Sequence, residues 1–179
     1  MEKISCIIPC YNQSQYLAEC IESVLAQTHK PHEIIVISDG SQDETRYIAK
    51  QYPEVKYIEQ VNKGLASARN TGIMNMTGDW FFPLDADDKM LENCLKVVSD
   101  TIENNPNADI IAPSFNEFGV RNNEILLMPN PTIEDFKTAN RIGFFSAIRK
   151  DALLEVGGYS PKMIILITIS HLRRVTTNF

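Results

Sequence analysis

Residues 33–45, EIIVISDGSQDET, join a short apolar run to a polar loop, and this arrangement decides how the chain folds. Residues 34–37 are apolar and β-branched, which is typical of a buried strand. The loop after them is rich in turn and capping residues, so a helix is predicted from about Thr45 to Gln51. A strand followed by a loop and a helix is the repeating unit of an α/β fold.

The same unit recurs on both sides of this stretch. Further strands are predicted at residues 4–8, 55–58, 80–84 and 109–112, and further helices at residues 14–27, 65–76 and 91–104. The first strand is expected to end at Pro9, and Ser14 is the predicted N-cap of the helix after it. Beyond Ala112 the pattern predicts a hairpin turning at Asn122 and Asn123 and a short helix at residues 132–140. A strand and then a helix closed by Gly157 are expected within residues 143–159.

Strands that alternate with helices predict a mostly parallel sheet covered on both faces and joined by right-handed crossovers. In such sheets ligands bind beyond the carboxyl ends of the strands. The polar loops PCYNQ (9–13), SDGSQD (38–43) and DADDK (85–89) each follow a predicted strand. We therefore expect these loops to meet at one edge and to form the functional site.

Composition limits the function classes. The 179 residues, 44% hydrophobic and 22% charged, are typical of a soluble globular protein with one sizeable core. The formal net charge of -6 and the lack of a dense Lys/Arg tract argue against nucleic-acid or general anionic-membrane binding. An anionic ligand would need a metal ion or a few placed cations.

We expect a cytoplasmic protein, because neither a secretory signal nor a membrane-spanning segment is recognised in the sequence. The N-terminus lacks the long apolar region of a secretory signal, and the apolar run at residues 163–169 is far shorter than the roughly 20 residues of a membrane-spanning helix. Peripheral contact with the inner face of a membrane stays open. The four cysteines contain no CxxC pair and are predicted to be buried free thiols.

The acidic cluster Asp85, Asp87 and Asp88 is the main candidate for chemistry. Two carboxylates about 5 Å apart repel by about 3 kcal/mol at an effective dielectric constant near 20, so a cation, a proton or solvent must offset the charge. In an extended segment Asp85 and Asp87 would share one side, on which Mg²⁺ or Mn²⁺ could bind. The alternative is a solvated turn in which Asp87 or Asp88 caps the next helix.

Details of the spacing exclude a calcium EF-hand at this cluster. Counting from Asp85, the sixth position is Met90 rather than Gly and the twelfth is Lys96 rather than Glu.

Two further residues fit a nucleotide ligand. Asp39 follows the second strand, where its carboxylate could accept a hydrogen bond from a base, although an ordinary turn or cap would use the same residue. Arg69 lies on the predicted helix at residues 65–76 and could bind a diphosphate bidentately, although a lone helical Arg is more often a surface charge.

The ordered segments ISCIIPCYNQSQYLAECIESVLAQT, EIIVISDGSQDET, NKGLASARNTGI, GDWFFPLDADD and SAIRKDALLEVGGY together resemble family 2 glycosyltransferases. This is the inverting group with a GT-A fold, and the resemblance covers about residues 3–159. It implies transfer of a sugar from a nucleotide-sugar to a hydroxyl of a glycan or lipid-linked glycan, with inversion. Because the base in this family is usually uracil, a UDP-sugar is the expected donor. It also implies a role in polysaccharide or cell-envelope synthesis with Mn²⁺ or Mg²⁺ as cofactor.

The resemblance assigns roles to residues of this chain. Pro9, Tyr11 and Asn12 match the segment around the base and ribose, and Asp39 matches the acid that binds the base. Arg69 matches the basic residue near the diphosphate. Asp85, Ala86 and Asp87 match the family's DxD motif, in which the last Asp commonly binds the metal and the first lies near the ribose and sugar.

The chain departs from the family after the GGY segment. An acceptor-side Asp or Glu is expected there as general base, but none follows Glu155, and His171 is the only titratable candidate. We therefore expect a glycosyltransferase domain at residues 1–162 and an atypical tail at 163–179, which suggests a truncated or altered end. The nucleotide-binding half is then nearly complete and the acceptor half incomplete.

Other functions stay open at this point. The chain could bind a nucleotide-sugar without turning it over, because the general base is not found. A dehydrogenase is disfavoured because PCYNQ stands where GxGxxG would be, and a P-loop enzyme because no GKS or GKT occurs. An aspartate-nucleophile phosphatase would carry its DxD after the first strand, and a nucleotidylyltransferase would have a Gly-rich N-terminal loop.

Overall fold

A computed structural model describes residues 2–119, 123–125, 145–160 and 175–178 of the chain. The strands are β1 Ile4–Cys10, β2 Glu33–Asp39, β3 Val55–Gln60, β4 Trp80–Pro83, β5 Ile110–Pro113, β6 Phe115–Asn116, β7 Glu124–Ile125, β8 Ala147–Arg149 and β9 Val175–Asn178. The helices are α1 Ser14–Leu25, α2 Thr45–Ala49, α3 Leu65–Asn75, α4 Cys94–Asn104 and α5 Lys150–Glu155.

A central sheet confirms the predicted α/β architecture. Its strand order is β3-β2-β1-β4-β8-β5-β9 within the described part of the chain. Strands β1 to β4 are mutually parallel, β8 is antiparallel to both β4 and β5, and β9 is parallel to β5. The sheet is therefore mostly parallel, with one reversed strand between its two parts.

The helices cover both faces of this sheet. Along β1 the side chains of Cys6, Ile8 and Cys10 pack with α1, α2 and α4 on one face. Ile7 points to the other face and packs with α3 and α5. The alternation of a strand thus sends consecutive apolar residues into two separate cores, which is why β1 is buried along its whole length.

The prediction that β1 ends at Pro9 is wrong, since the strand continues to Cys10. Strand β4 pairs with β1 only as far as Ile7, whereas β2 pairs along it to Cys10. Beyond Ile7 one side of β1 has no strand neighbour in the part of the chain that the structure describes, so the missing N–H of proline disrupts no ladder there. Pro9 can therefore lie inside an otherwise central strand.

The predicted start of α1 also needs correction. Ser14 is the first helical residue rather than the N-cap, and Gln13 in the cap position makes no side-chain cap bond. The carboxylate of Asp43 instead accepts the Ser14 N–H at 2.8 Å, and it also accepts the N–H and hydroxyl of Thr45 at the start of α2. One carboxylate from a neighbouring loop thus serves two helix N-termini.

The described elements between β5 and residue 160 agree with the prediction. Strands β6 and β7 pair antiparallel as the expected hairpin, and β8 leads into α5. Gly157 has a φ of 79°, and the N–H of Gly158 reaches the carbonyl of Leu153 at 2.8 Å, which closes α5 as predicted. The helix predicted at residues 132–140 lies outside the described residues.

The cysteines are free thiols, as predicted. Cys6, Cys10 and Cys20 are buried and Cys94 is partly buried. Burial raises the pKa of Cys94 to about 12, so this thiol is neutral at ordinary pH.

Candidate functional site

The acidic loop, residues 84–93 between β4 and α4, holds the predicted DxD motif at the carboxyl edge of the sheet. Ala86 is buried, Asp85 and Asp88 are partly exposed, and Asp87 is exposed. The N–H of Asp88 donates to the carbonyl of Asp85 at 3.0 Å. The segment is therefore a turn rather than the extended chain assumed from its alternation, and the period-two rule does not apply to it.

The alternative interpretation of this cluster, a simple helix cap, is wrong for α4. This helix begins only at Cys94, its N-cap is Asn93, and no carboxylate of the cluster bonds to it. The three carboxylates instead lie close enough for the charges of Asp85 and Asp87 to act on Asp88. The pKa of Asp88 is raised to about 6. Burial is the largest cause, and the charges of Asp87 and Asp85 add to it.

Arg69 offsets part of this negative charge. Its Nη2 lies 2.7 Å from Oδ1 of Asp85, and the residue is only 6% exposed. The guanidinium therefore lies under the acidic loop rather than on the surface, which argues against the ordinary surface charge considered from the sequence. Its Nε atom is buried and has no hydrogen-bond partner among the described residues.

Tyr159 packs against the other side of this guanidinium. The ring centroid of Tyr159 is 5.4 Å from Cζ of Arg69 and 5.8 Å from the ring of Phe81. Burial raises the pKa of Tyr159 to about 12, while the nearby Arg69 charge acts in the opposite direction. Tyr159 and Asp85 thus hold Arg69 between an aromatic face and a carboxylate.

Asn70 anchors Tyr159 in this position. Its amide donates to the carbonyl of Tyr159 and accepts the N–H of the same residue, both at 2.8 Å. Gly158 makes the approach possible, because a Cβ atom there would lie 2.5 Å from Oδ1 of Asn70. The roles of Asn70 and Tyr159 were not predicted, although both lie in segments, NKGLASARNTGI and SAIRKDALLEVGGY, that carried the family resemblance.

Asp39 lies at the end of β2 and is 4% exposed. Its carboxylate accepts hydrogen bonds from Nε2 of Gln60 at 2.7 Å and from the N–H groups of Lys63 and Gly64 at 2.9 and 2.8 Å. Asp39 therefore shapes the loop that leads into α3. A carboxylate has about four lone-pair sites, so these three bonds leave capacity for one more donor.

The loop after β1 is bonded to the loop after β2. Oδ1 of Asn12 accepts the N–H of Gln42 at 2.8 Å, and the N–H of Asn12 donates to Oγ of Ser41 at 3.2 Å. Asn12 has a φ of 53°, a left-handed conformation that Asn tolerates better than most residues. These contacts leave Tyr11 half-exposed at the edge of the sheet.

The predicted site residues are thus found in two groups at the carboxyl edge. Arg69 contacts Asp85 directly, next to Ala86 and Asp87. Asn12 bonds to the loop that follows Asp39, with Pro9 and Tyr11 at the end of β1. His171 lies outside the described residues.

The fold and this edge define an α/β protein of the GT-A class, and comparison with known proteins gives the family. The sequence profile of "Glycosyl transferase family 2" matches residues 5–157. The chain belongs to this family. The resemblance inferred from the sequence motifs is confirmed.

Curated relatives share nearly half of the aligned residues. Glycosyltransferase GlyA of Streptococcus pneumoniae serotype 4 is 45% identical over 91 residues, which are 49% of this chain and 13% of that protein. The uncharacterized glycosyltransferase RP339 of Rickettsia prowazekii is 43% identical over 109 residues, which are 60% of this chain and 34% of that protein. The chain thus matches about a third or less of the length of these relatives.

Solved structures share the fold. S. aureus TarS 1-349, solved in complex with UDP-GlcNAc, superimposes with a TM-score of 0.83 at 21% identity, over 98% of this chain and 56% of that chain. The mannosyltransferase PcManGT from Pyrobaculum calidifontis, solved with GDP-Man and Mn²⁺, gives a TM-score of 0.67 at 18% identity, over 90% of this chain and 48% of that one. The predicted GT-A fold is confirmed.

A membrane-spanning helix is not found in the described residues, since none of their helices combines the required length with enough apolar character.

Proposed function

We propose that this chain carries the donor site of a metal-dependent transferase that moves a sugar from a UDP-sugar to a hydroxyl of a glycan or lipid-linked glycan, with inversion. The observation that carries the proposal is the ion pair of the buried Arg69 with the partly exposed Asp85 beside the exposed Asp87, at the edge where α/β sheets bind ligands. The Arg69 guanidinium would bind the diphosphate, and the carboxylates of the turn beside it would bind the metal ion that accompanies the diphosphate.

The donor atoms fit Mg²⁺ or Mn²⁺. Both ions prefer carboxylate oxygens and commonly use one or two of them together with substrate phosphates and water. Asp87 is exposed, and Asp85 has one oxygen bonded to Arg69 and a second for which no hydrogen bond is found in the described residues. No group of three or more His, Cys, Asp or Glu that could hold a metal occurs among the described residues, so phosphate would have to complete the coordination.

The bound ion would supply stabilisation of the negative charge that develops on the leaving diphosphate. Arg69 would contribute a fixed positive charge beside the same phosphates, held in orientation by Asp85 and Tyr159. Asp87 would hold the ion, and Asp85 would lie near the ribose and sugar. The buried setting of Arg69 strengthens these interactions relative to bulk water.

The remaining site residues would bind the nucleoside. Asp39 has one acceptor position left for a base N–H, and Pro9, Tyr11 and Asn12 would line the base and ribose. TarS was solved with UDP and with UDP-GlcNAc, which supports uracil as the base to test first. PcManGT was solved with GDP-Man, so a guanine nucleotide is the informative comparison.

A second candidate for these 179 residues is donor binding without transfer. Their last Asp or Glu is Glu155, and we assign no general base among them. We further propose that residues 1–162 form the glycosyltransferase domain and 163–179 a tail. The pairing of β9 with β5 means that part of this tail extends the sheet.

Calorimetry combined with a product assay tests both candidates. We expect UDP to bind saturably with Mn²⁺, to bind more weakly without it, and to bind more tightly than GDP. Incubation with UDP-sugars and glycan acceptors then separates transfer from binding alone. A chain that binds neither UDP nor GDP in the presence of Mn²⁺ would contradict the donor site itself.

A further inference from the structure

The acidic loop has little internal support. Among the described residues one backbone hydrogen bond lies within the loop, from Asp88 N to Asp85 O, and two join it to α4, from Cys94 N to Leu91 O and from Val97 N to Asn93 O. Carboxylates that bind a metal need outside groups to fix their position. The contacts that hold this loop come mainly from α1 and from Gln27 and Thr28, which follow it; the N–H and hydroxyl of Thr28 donate to the carbonyl of Glu92 at 2.8 and 3.2 Å.

Helix α1 presents polar side chains to the loop at helical spacing. Sγ of Cys20 donates to the carbonyl of Asp85 at 3.6 Å, and Oγ of Ser23 accepts the N–H of Met90 at 3.1 Å. Residues three apart lie on one face of a helix, so Cys20 and Ser23 share a face, and Gln27 follows just beyond the end of the helix. The start of the turn that bears Asp87 and the residue Met90 after it are thus bonded to α1.

Gln27 lies just beyond α1 and is completely buried. Its Nε2 donates to the carbonyls of Leu91 at 2.7 Å and Ser23 at 3.1 Å, and its Oε1 accepts the N–H of Leu95 at 2.9 Å. Both amide hydrogens and the amide oxygen are therefore used, which leaves the side chain one orientation.

The bond to Leu95 gives Gln27 a second effect. Leu95 is in the first turn of α4, whose own N-cap residue makes no side-chain bond. The first N–H groups of a helix need partners from outside the helix. Gln27 thus caps α4 from the segment that follows α1, while holding the end of the acidic loop at Leu91.

We propose that Gln27 is a positioning residue for the donor site. By tying Leu91 and Leu95 to α1, it fixes the far end of the loop, so that Asp85 and Asp87 keep the spacing needed for a diphosphate-bound cation. This inference rests on the proposed function of those aspartates. Gln27 lies in the segment SVLAQT, but its partners Leu91 and Leu95 are 64 and 68 residues further along the chain. The local sequence pattern therefore does not reveal these contacts.

The main variant is Gln27→Met, which keeps the length of the side chain and removes all three bonds. Ser5→Ala is the matched control, because Ser5 is also fully buried and bonds to Glu33 and Gly78 at the opposite edge of the sheet. Both variants leave buried polar groups unpaired and are expected to lower stability. Only Gln27→Met should disturb the acidic loop.

Two measurements separate positioning from general stability. The first is amide hydrogen exchange of the metal-free protein, measured under conditions of equal global stability. The backbone amides of Asp88, Met90 and Leu95 should exchange at least about ten-fold faster in Gln27→Met than in Ser5→Ala. The affinity for UDP with Mn²⁺ should fall about ten-fold in Gln27→Met and stay unchanged in Ser5→Ala. If Gln27→Met does not fold, Ser23→Ala removes the Met90 bond, together with the bond from the Ser23 hydroxyl to the carbonyl of Cys20, and should show the same changes to a smaller degree.

Equal exchange of the loop in both variants would overturn the proposal. So would faster exchange with unchanged affinity for UDP and Mn²⁺, because the loop would then move without consequence for the site. A wild-type chain that binds no nucleotide would refute the proposed function instead. The exchange comparison would in that case still decide whether Gln27 positions the loop.

Discussion

Asp87 is exposed at the tip of the acidic turn, so its side chain contributes little to folding and is placed for a ligand. Asp87→Ala should weaken UDP binding in the presence of Mn²⁺ by at least about ten-fold, because it removes a metal ligand. The free energy of unfolding should change by less than about 0.5 kcal/mol, as is usual for surface substitutions. Calorimetry and urea unfolding measure the two effects.

Asp100→Ala is the control for this prediction. Asp100 also carries a carboxylate near the surface, on α4, and pairs with Lys96 one helical turn away. Such surface pairs contribute little to stability. If both variants bind UDP and Mn²⁺ as tightly as the wild type, the assignment of Asp87 as a ligand is wrong.

Gly158 offers a second test at the level of single residues. Gly157→Ala and Gly158→Ala both place a side chain at positive φ, 79° and 75°. A Cβ at 158 would collide with Asn70, whereas no atom of the described residues lies within 4 Å of a Cβ at 157. Gly158→Ala should therefore destabilise by about 1–3 kcal/mol more than Gly157→Ala in urea unfolding.

The same pair of variants reports on the site. Displacing Tyr159 removes the aromatic face that packs on Arg69, so Gly158→Ala should also weaken UDP binding more than Gly157→Ala does. Equal stability of the two variants would mean that the Asn70 contact has no energetic role.

Packing between elements is tested at Gly72, where α3 approaches β1. Alanine is favoured over glycine in a helix by about 1 kcal/mol. A Cβ at position 72, however, would lie 2.3 Å from Cγ2 of Ile7, a β-branched side chain held in the central strand. Gly72→Ala should therefore be net destabilising, in contrast to the propensity rule.

A double-mutant cycle with Ile7→Ala gives the direct measurement. Ile7→Ala alone should cost about 2–5 kcal/mol, and the double variant should lose less than the sum of the two single changes. If the losses of stability in urea unfolding are additive, the contact between position 72 and Ile7 is not the cause of the destabilisation by Gly72→Ala.

The order and types of the elements in the first 113 residues could be predicted from apolar periodicity. Element ends were less predictable, because they depend on partners distant in sequence. Pro9 stays in β1 since β4 ends earlier, and α4 begins at Cys94 because residues 84–93 are held by α1 instead of forming a helical turn. These partners cannot be read from local sequence.

At the scale of the whole molecule, Glu33 links three parts of the edge opposite the site. Its carboxylate accepts hydrogen bonds from Oγ of Ser5 at 2.7 Å, from the N–H and hydroxyl of Thr77, and from the N–H of Gly78. Burial tends to raise the pKa of Glu33, but these hydrogen bonds outweigh burial and lower it below 4.5. The ionised form is therefore favoured in the folded state.

This lowered pKa predicts the direction of an acid effect. The stabilisation from Glu33 should be present above about pH 4.5 and be lost as the pH falls through the folded-state pKa, because the unfolded chain then takes up the proton more readily. Urea unfolding from about pH 7 to about pH 3 should show wild type and Glu33→Gln converging in stability. A constant gap between them would contradict the prediction.

The sequence by itself determined the α/β class, the edge at which the polar loops collect and the residue types available for a nucleotide site. These follow from local periodicity and from the rule that parallel strands end together. Only the tertiary structure decided that Arg69 neutralises Asp85, that Asn70 holds Tyr159 against Arg69, and that Gln27 supports the acidic loop. The physical reason is that ion pairs and buried amide bonds join residues far apart in the chain, and their geometry exists only after the helices have packed on the sheet.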